Sequence, residues 1–331
     1  MLRRIRDRFV AIAGFASVVT IGALIPVREA RSAEQKSDAT SPFAVVLGTA
    51  QDGGLPQIGG RAPEDEAARR DPKRGRLVAS LLVVDPVSKE RFLIDATPDL
   101  PRQVDLADDV APRSPSSARP PLFDAIALTH AHVGHYAGLI HLGREAYGAA
   151  GQRVLASDRM ARFLETNGPW DLLVKAKHVA IERIVPDAAV KLNARLTLTP
   201  IAVPHRDEYS DTFGFIVAGP SRKLLWLPDI DKWDKWNRRV EDVIASVDVA
   251  YVDGTFFDGD ELPGRAMSEV PHPFITESMA RFASLPARER SKIVFVHLNH
   301  TNAAAAPDSK ARRAVEGIAI RIARERQREP L

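Results

Sequence analysis

The stretch Asp124-Ala125-Ile126-Ala127-Leu128-Thr129-His130-Ala131-His132-Val133-Gly134-His135 decides the reading of this chain. An apolar run, 125–128, leads directly into three histidines within six residues. In an extended chain residues i and i+2 point the same way, so His130 and His132 present two imidazoles to one point as the strand ends. His135 then begins a helical stretch and can face the same cavity. Imidazole suits zinc and iron, and with no cysteine among the 331 residues no thiolate site competes.

A metal needs further ligands, and the sequence repeats the same context elsewhere. The β-like run 198–204 ends in His205, 224–228 ends in Asp229, and 293–296 ends in His297. Loops at one edge of a sheet converge, so four such segments together predict a metal centre. Further β-like runs occur at 43–47, 77–84, 91–94, 154–156, 213–217 and 247–252, with helical spacing at 136–149, 158–165, 275–285 and 311–326. This mixture predicts an α/β fold of two sheets covered by helices. The Gly-, Pro- and charge-rich stretches 53–56 and 59–75, and the Pro/Ser segment 111–121, read as loops. There is no internal repeat.

The chain carries 46 Lys+Arg against 43 Asp+Glu, a net +3, with 45% hydrophobic residues, which excludes a disordered or disulfide-stapled class. The surplus is local. Six arginines against Asp7 and Glu29 make residues 1–33 +4, leaving −1 for residues 34–331. The basic start, the uncharged run 9–25 and the small residues Ala30-Arg31-Ser32-Ala33 read as a signal peptide or an N-terminal anchor. A single domain is expected over 34–331, exported to the periplasm or secreted, with membrane attachment through the N-terminal segment only. The bases of the 311–326 helix are mixed with acids and read as a solvated face, so no nucleic-acid partner is expected.

The succession His130-x-His132-x-Gly134-His135, His205, Asp229, His297 resembles the metallo-β-lactamase fold superfamily, whose motif is His-x-His-x-Asp-His followed by His, Asp and His. The resemblance implies a four-layer αββα sandwich, two mixed sheets flanked by helices. Asp95, in Phe92-Leu93-Ile94-Asp95-Ala96, matches the strand-end Asp that orients the metal-binding loop. The strings at 47–57, Asp253-Gly254-Thr255-Phe256-Phe257, Pro271-His272-Pro273-Phe274 and His297-Leu298-Asn299-His300-Thr301-Asn302 are similar to the coenzyme PQQ synthesis protein B branch, over roughly residues 43–302. The chain departs from the superfamily at Gly134, which has no side-chain ligand where an Asp binds the second metal. Asp52 is either a turn-stabilising residue or the source of the missing oxygen. The expectation is one firmly held zinc and a second site weak or absent, with iron or manganese as alternatives. Without cysteine, the additional structural zinc found in related sequences cannot form. That branch's biosynthetic protein tends to have a degraded histidine motif, whereas all three histidines are kept here, which argues against simply transferring its role.

The expected metal ligands are therefore His130, His132, His135, His205, Asp229 and His297, with His300 an alternative last ligand or a nearby acid/base. The expected activity is that of a metal-dependent hydrolase, in which zinc-bound hydroxide attacks an ester, phosphodiester or similar bond of a small-molecule substrate. Asp229 holds the metal and orients the hydroxide, and His272 is the expected proton donor to the leaving group. Arg206, Asp207 and Tyr209 follow a ligand and either contact substrate or form a solvated turn. His141 and His178 lie outside the site. The rival readings are an oxidative, iron-dependent or accessory protein of pyrroloquinoline quinone formation, and a non-catalytic binding or carrier protein, for which Gly134 is the main support.

Overall fold

Fourteen strands form two seven-stranded sheets in a computed structural model that describes residues 40–331, save 115, 117, 263, 265, 267 and 268. The leader expected at 1–33 lies outside the described residues. In chain order the strands are β1 (Phe43–Gly48), β2 (Ser80–Asp85), β3 (Glu90–Ile94), β4 (Ala125–Ala127), β5 (Gln152–Ala156), β6 (Val179–Arg183), β7 (Val190–Lys191), β8 (Thr197–Val203), β9 (Thr212–Ala218), β10 (Lys223–Leu227), β11 (Val249–Asp253), β12 (Ile293–Val296), β13 (Arg321–Ile322) and β14 (Arg328–Pro330). The first sheet has the order β14-β1-β2-β3-β4-β5-β6 and the second β13-β12-β11-β10-β9-β8-β7.

Alternation along the strands sorts the apolar side chains into three layers. Ala44, Val46, Leu81 and Val83 face Phe213, Phe215, Leu224, Trp226 and Tyr251 between the sheets. On the other face of the first sheet, Val45, Leu47 and Leu82 pack with Leu100, Leu139, Met160 and Leu173 from the covering helices. Leu225, Leu227, Ala250 and Val252 do the same for the second sheet, against Trp233, Ile244, Ile275, Phe282 and Val315. Period-two burial on both faces of each sheet is what a helix-sheet-sheet-helix stack requires. The protein has the four-layer αββα architecture.

Directions within the sheets collect strand ends at one edge. In the first sheet β1 and β2 and then β2 and β3 are antiparallel, while β3 and β4 are parallel, so β1, β3 and β4 all run the same way. By the same reasoning β8, β10, β11 and β12 share one direction in the second sheet. Loops at the carboxyl ends of such strands are where α/β sheets place ligand sites.

Three local expectations change. The helix expected over 311–326 stops at Lys310–Gly317, and its remainder becomes turns around β13, which pairs with β12; β14, paired with β1, follows just beyond it. Ala319 and Arg326 adopt positive φ and turn the chain twice, which a helix does not permit. Its bases are correspondingly not one solvated face, for Arg312 is buried and its Nε donates to Glu316. The 136–149 helix is reduced to a short turn, Val133–Tyr136, and a 3-10 segment, Ala137–Leu142, followed by turns where Gly148 has positive φ. Conversely, the expected loop 59–75 contains the helix Pro63–Arg70, started by Pro at its first turn and closed with Arg69 and Arg70 in its last. No helix among the described residues is long and apolar enough to cross a membrane.

Candidate metal centre

The strand ends of that shared edge supply the side chains of the site. Asp95 follows β3 directly, Asp229 follows β10 after Pro228, Asp253 ends β11, and His297 follows β12. Asp95 and His297 both have positive φ (67° and 65°), so the backbone turns sharply as each strand stops. His130 and His132 leave β4, and His135 sits on the short helix behind them.

The ligand atoms form four overlapping groups; two of them share Asp229, one with His130 and His135 and one with His205 and His272, and the other two flank it. Of the flanking clusters the first joins His130, His132 and His205, and the second joins Asp52, His135 and His297, with the chosen atoms of each lying within 4.8 Å of one another. Asp229 Oδ2 lies 2.9 Å from His135 Nε2 and 3.3 Å from His297 Nε2, while Oδ1 is 3.8 Å from His205 Nε2. One carboxylate thus reaches both sets.

The surrounding hydrogen bonds decide which nitrogens carry protons. Thr255 spends its single hydroxyl proton on Asp253 Oδ1 at 2.7 Å, so it accepts from His297 Nδ1 at 3.0 Å and leaves Nε2 bare. Thr129 likewise donates to Asp95 and accepts from His130 Nδ1 at 3.1 Å, leaving His130 Nε2 bare. Asp95 Oδ2 takes the Nδ1 proton of His135 at 2.8 Å, and Glu208 Oε2 takes the Nε2 proton of His132 at 3.1 Å. With their rings neutral, all four histidines turn a lone pair inward, and two of these acceptors, His130 Nε2 and His132 Nδ1, stand only 2.8 Å apart.

Facing lone pairs repel unless a cation lies between them. Asp52 Oδ1, His135 Nε2, Asp229 Oδ2 and His297 Nε2 are likewise buried without a hydrogen-bond partner. Four converging orphan atoms in one place are costly, and a divalent ion satisfies all of them. Nitrogen and carboxylate donors without sulfur suit zinc, and iron or manganese as well. Charge states divide between the sets: burial pushes His135 down, but the Asp95 and Asp229 carboxylates outweigh it and raise it well above its ordinary value, so a cation entering there displaces a proton from Nε2. Burial, then the charge of His135, pushes His130 well below its ordinary value, and burial takes His205 down to about 4, so both remain neutral donors. Burial pushes Asp229 up, but His297 and His135 outweigh it and hold the carboxyl well below the usual range.

Asp52 changes the expectation built on Gly134. A Cβ placed on Gly134 would lie 1.9 Å from Asp52 Oδ1, so the Asp52 carboxylate occupies the space an aspartate at 134 would need. Asp52 Oδ1 lies 3.6 Å from His135 Nε2 and 3.8 Å from His297 Nε2. The glycine leaves the room that the Asp52 carboxylate takes.

His272 and His300 separate. His272 is buried beside the clusters, its Nδ1 2.7 Å from Asp253 Oδ2 and 3.8 Å from Asp229 Oδ1. Burial pushes its pKa down, but the Asp253 carboxylate outweighs that and raises it. His300 falls outside both clusters, contrary to its place among the expected ligands. Its Nδ1 bonds Asp65 Oδ2 at 2.7 Å, and that buried carboxylate also accepts from the Gln57 and Ala62 amides, so His300 pins the loop that carries Asp52. Arg206 stands at the rim, Nη2 3.4 Å from His132 Nε2, Tyr209 is exposed, and the Asp207 side chain accepts from Thr212. His178 bonds the Ala149 carbonyl. Neither His178 nor His141 enters a ligand cluster. The sequence reading missed Thr129, Glu208 and the bracing roles of Asp253 and Thr255. Asp253-Gly254-Thr255 was visible as a string, but only the fold shows which rings it supports.

A buried, histidine-rich centre at the mouth of an αββα sandwich defines a class, and comparison with known proteins gives the same one. Residues 90–298 match the family model described as "Beta-lactamase superfamily domain", and the chain belongs to that superfamily. Within it, the chain is 28% identical over 296 residues to coenzyme PQQ synthesis protein B of Methylobacterium sp. (strain 4-46), covering 82% of this chain and 94% of the relative. The protein of the same name from Gluconobacter oxydans (strain 621H) is 25% identical over 293 residues, covering 82% and 93%. The crystal structure of Zn(2+)-bound PqqB from Methylobacterium extorquens superposes with a TM-score of 0.74 at 23% identity, covering 87% of this chain and all of that one. A diphosphatase from the PhnP family gives 0.61 at 19% identity, covering 88% and 97%.

Proposed function

We propose that this protein is a metal-dependent hydrolase acting on an ester, phosphodiester or similar bond of a small molecule. The observation that carries the reading is the set of inward lone pairs on His130, His132, His135 and His297, gathered around a shared Asp229. Two ligand sets, each with three side chains besides Asp229, support two ions. A divalent ion bound there supplies Lewis acidity, activating water and polarising the oxygen of the scissile group.

The chain's own residues do the rest. Thr129, Asp95, Thr255 and Glu208 fix the tautomers of the ligand histidines. Asp229 remains ionised and spans the two sets. His272 is held at Nδ1 by Asp253 and makes no protein hydrogen bond at Nε2, so Nε2–H serves as the proton donor to the leaving group. Asp253 sustains the charged form of that imidazole. Support for a non-catalytic carrier weakens, because Asp52 supplies the oxygen that Gly134 lacks. Similarity to coenzyme PQQ synthesis protein B favours one second reading, an iron-dependent or accessory role in quinone-cofactor formation. We also propose that the protein is exported, with residues 1–33 as signal or anchor; cell fractionation checks this.

The test is metal analysis of protein purified without added metal, then assays of phosphodiester and ester surrogates with Zn²⁺, Mn²⁺ and Fe²⁺. Bound metal and hydrolysis are expected, both abolished by combining His130→Ala with His132→Ala. His272→Gln should keep its metal yet lose about 10²–10⁴-fold in rate on substrates with poor leaving groups. Oxygen-dependent turnover with Fe²⁺ and no hydrolysis would select the second reading. Protein without metal even after reconstitution would sink both.

A further inference from the structure

Away from the metal centre, a cavity of about 600 Å³ opens between the segment after helix Pro63–Arg70, helix Lys310–Gly317 and the turn leading from β13. Five basic residues line it, from three separate parts of the chain. Two are already paired: Arg74 with Glu64 at 2.8 Å and Arg312 with Glu316 at 3.0 Å. Lys73, Arg76 and Arg324 have no carboxylate within ion-pair distance among the described residues. Of the remaining acids on the wall, Glu325 is turned to the Leu77 amide, 2.6 Å away, and burial pushes its pKa up, while Asp308 is exposed.

Arg76 is the telling member. It is partly buried, and burial pulls its pKa down, although its backbone is tied into place by paired hydrogen bonds with Leu55 at 2.9 Å. A guanidinium withdrawn from water, with Glu64 and Glu325 acting on it only from beyond ion-pair distance, is costly, and an anion entering beside it recovers part of that cost. Its planar fork matches two oxygens of a tetrahedral oxyanion, and the volume falls within the usual range of roughly 300–1,000 Å³ for small-ligand sites. We propose that this cavity binds a small multivalent oxyanion of the phosphate or pyrophosphate class, anchored by Arg76 and enclosed by Lys73 and Arg324.

Isothermal titration calorimetry of the full-length, metal-containing protein with inorganic phosphate, pyrophosphate and, as a monovalent control, acetate at matched ionic strength tests this. Pyrophosphate should bind most tightly and acetate not at all. Arg76→Gln should weaken pyrophosphate roughly tenfold or more. Arg324→Gln, on an exposed turn, should weaken it less and guards against a folding defect in the first variant. Because phosphate also has affinity for metal centres, the same titration is run on the His130→Ala, His132→Ala protein, where binding should persist. Absence of binding in the wild type overturns the proposal, and so does binding that survives both arginine variants or vanishes with the two histidines. These results bear only on the cavity, since metal content and hydrolysis are read separately.

Discussion

The two ligand clusters share Asp229 but are built differently. The first takes His130 and His132 from one contiguous motif and His205 from β8, and its outer support reaches the surface: Glu208, which holds His132, has 49% of its side chain exposed. The second draws Asp52, His135 and His297 from three distant segments, and its supports, Asp95 and Thr255, are fully buried. A cluster with two of its three ligands in one motif takes part of its geometry from local spacing, and tolerates a solvated prop on His132 beside the buried Thr129 that holds His130. One assembled from afar depends on buried bonds that no solvent can replace.

The largest effect should follow from breaking the second cluster at its unusual ligand. Asp52→Ala should lose one ion per chain by elemental analysis while the first remains. Exchanging the ligand, Asp52→Gly together with Gly134→Asp, should restore the stoichiometry. Gly134→Asp alone, with Asp52 kept, puts two carboxylates into one space and should cost about 1–3 kcal/mol in denaturant unfolding. If Asp52→Ala keeps its full metal content, the turn residue is not a ligand and the clusters are unequal after all.

A smaller effect should sharpen the contrast between the supports. Thr255→Ala should weaken metal binding at the second cluster by about 10–100-fold, the usual cost of removing a ligand's outer partner. Glu208→Gln should fall at or below the lower end of that range and become harder to detect as salt rises, because an exposed charge is screened. Competition with a chelator at two ionic strengths measures both.

The smallest effect concerns Glu261, which accepts from Thr301, four residues beyond the ligand His297. Burial pushes this carboxyl up to about 7. The folded state therefore holds its proton where the unfolded chain has released it. Its contribution is complete below the unfolded pKa, near 4.5, and is lost as pH rises through the folded value. Glu261→Gln should flatten this part of the stability profile, so the wild type loses ground to the variant between those values in urea melts.

Much of the centre was legible because strand-end histidines are rare and their spacing is geometric. Six of the seven expected ligands converge. His300 misled because it lies three residues after His297 in a polar string, where sequence cannot show that its imidazole turns to Asp65. Asp52 was undervalued for the opposite reason. Its role depends on the empty volume beside Gly134, a tertiary fact. The sheets were read well where runs were long and apolar, as in β1, β8 and β10. The short strands β7, β13 and β14, of two or three residues, carry no periodicity of their own and form because neighbouring edges accept them. Segment 311–326 shows the same limit, since Ile318 and Ile322 fit a helix repeat as well as two turns and a strand.

The last eleven residues act as a seam. The chain adds β13 to the edge of one sheet, crosses, and adds β14 to the edge of the other, finishing with the Leu331 amide bonded to the Pro42 carbonyl at 2.9 Å and its side chain buried. One short segment thus closes an edge of each sheet, tying residues 321–330 to β12 and to β1, nearly three hundred positions earlier in the chain. Deleting 321–331 would strip an edge strand from both sheets at once and uncover the core around the buried Leu331 side chain.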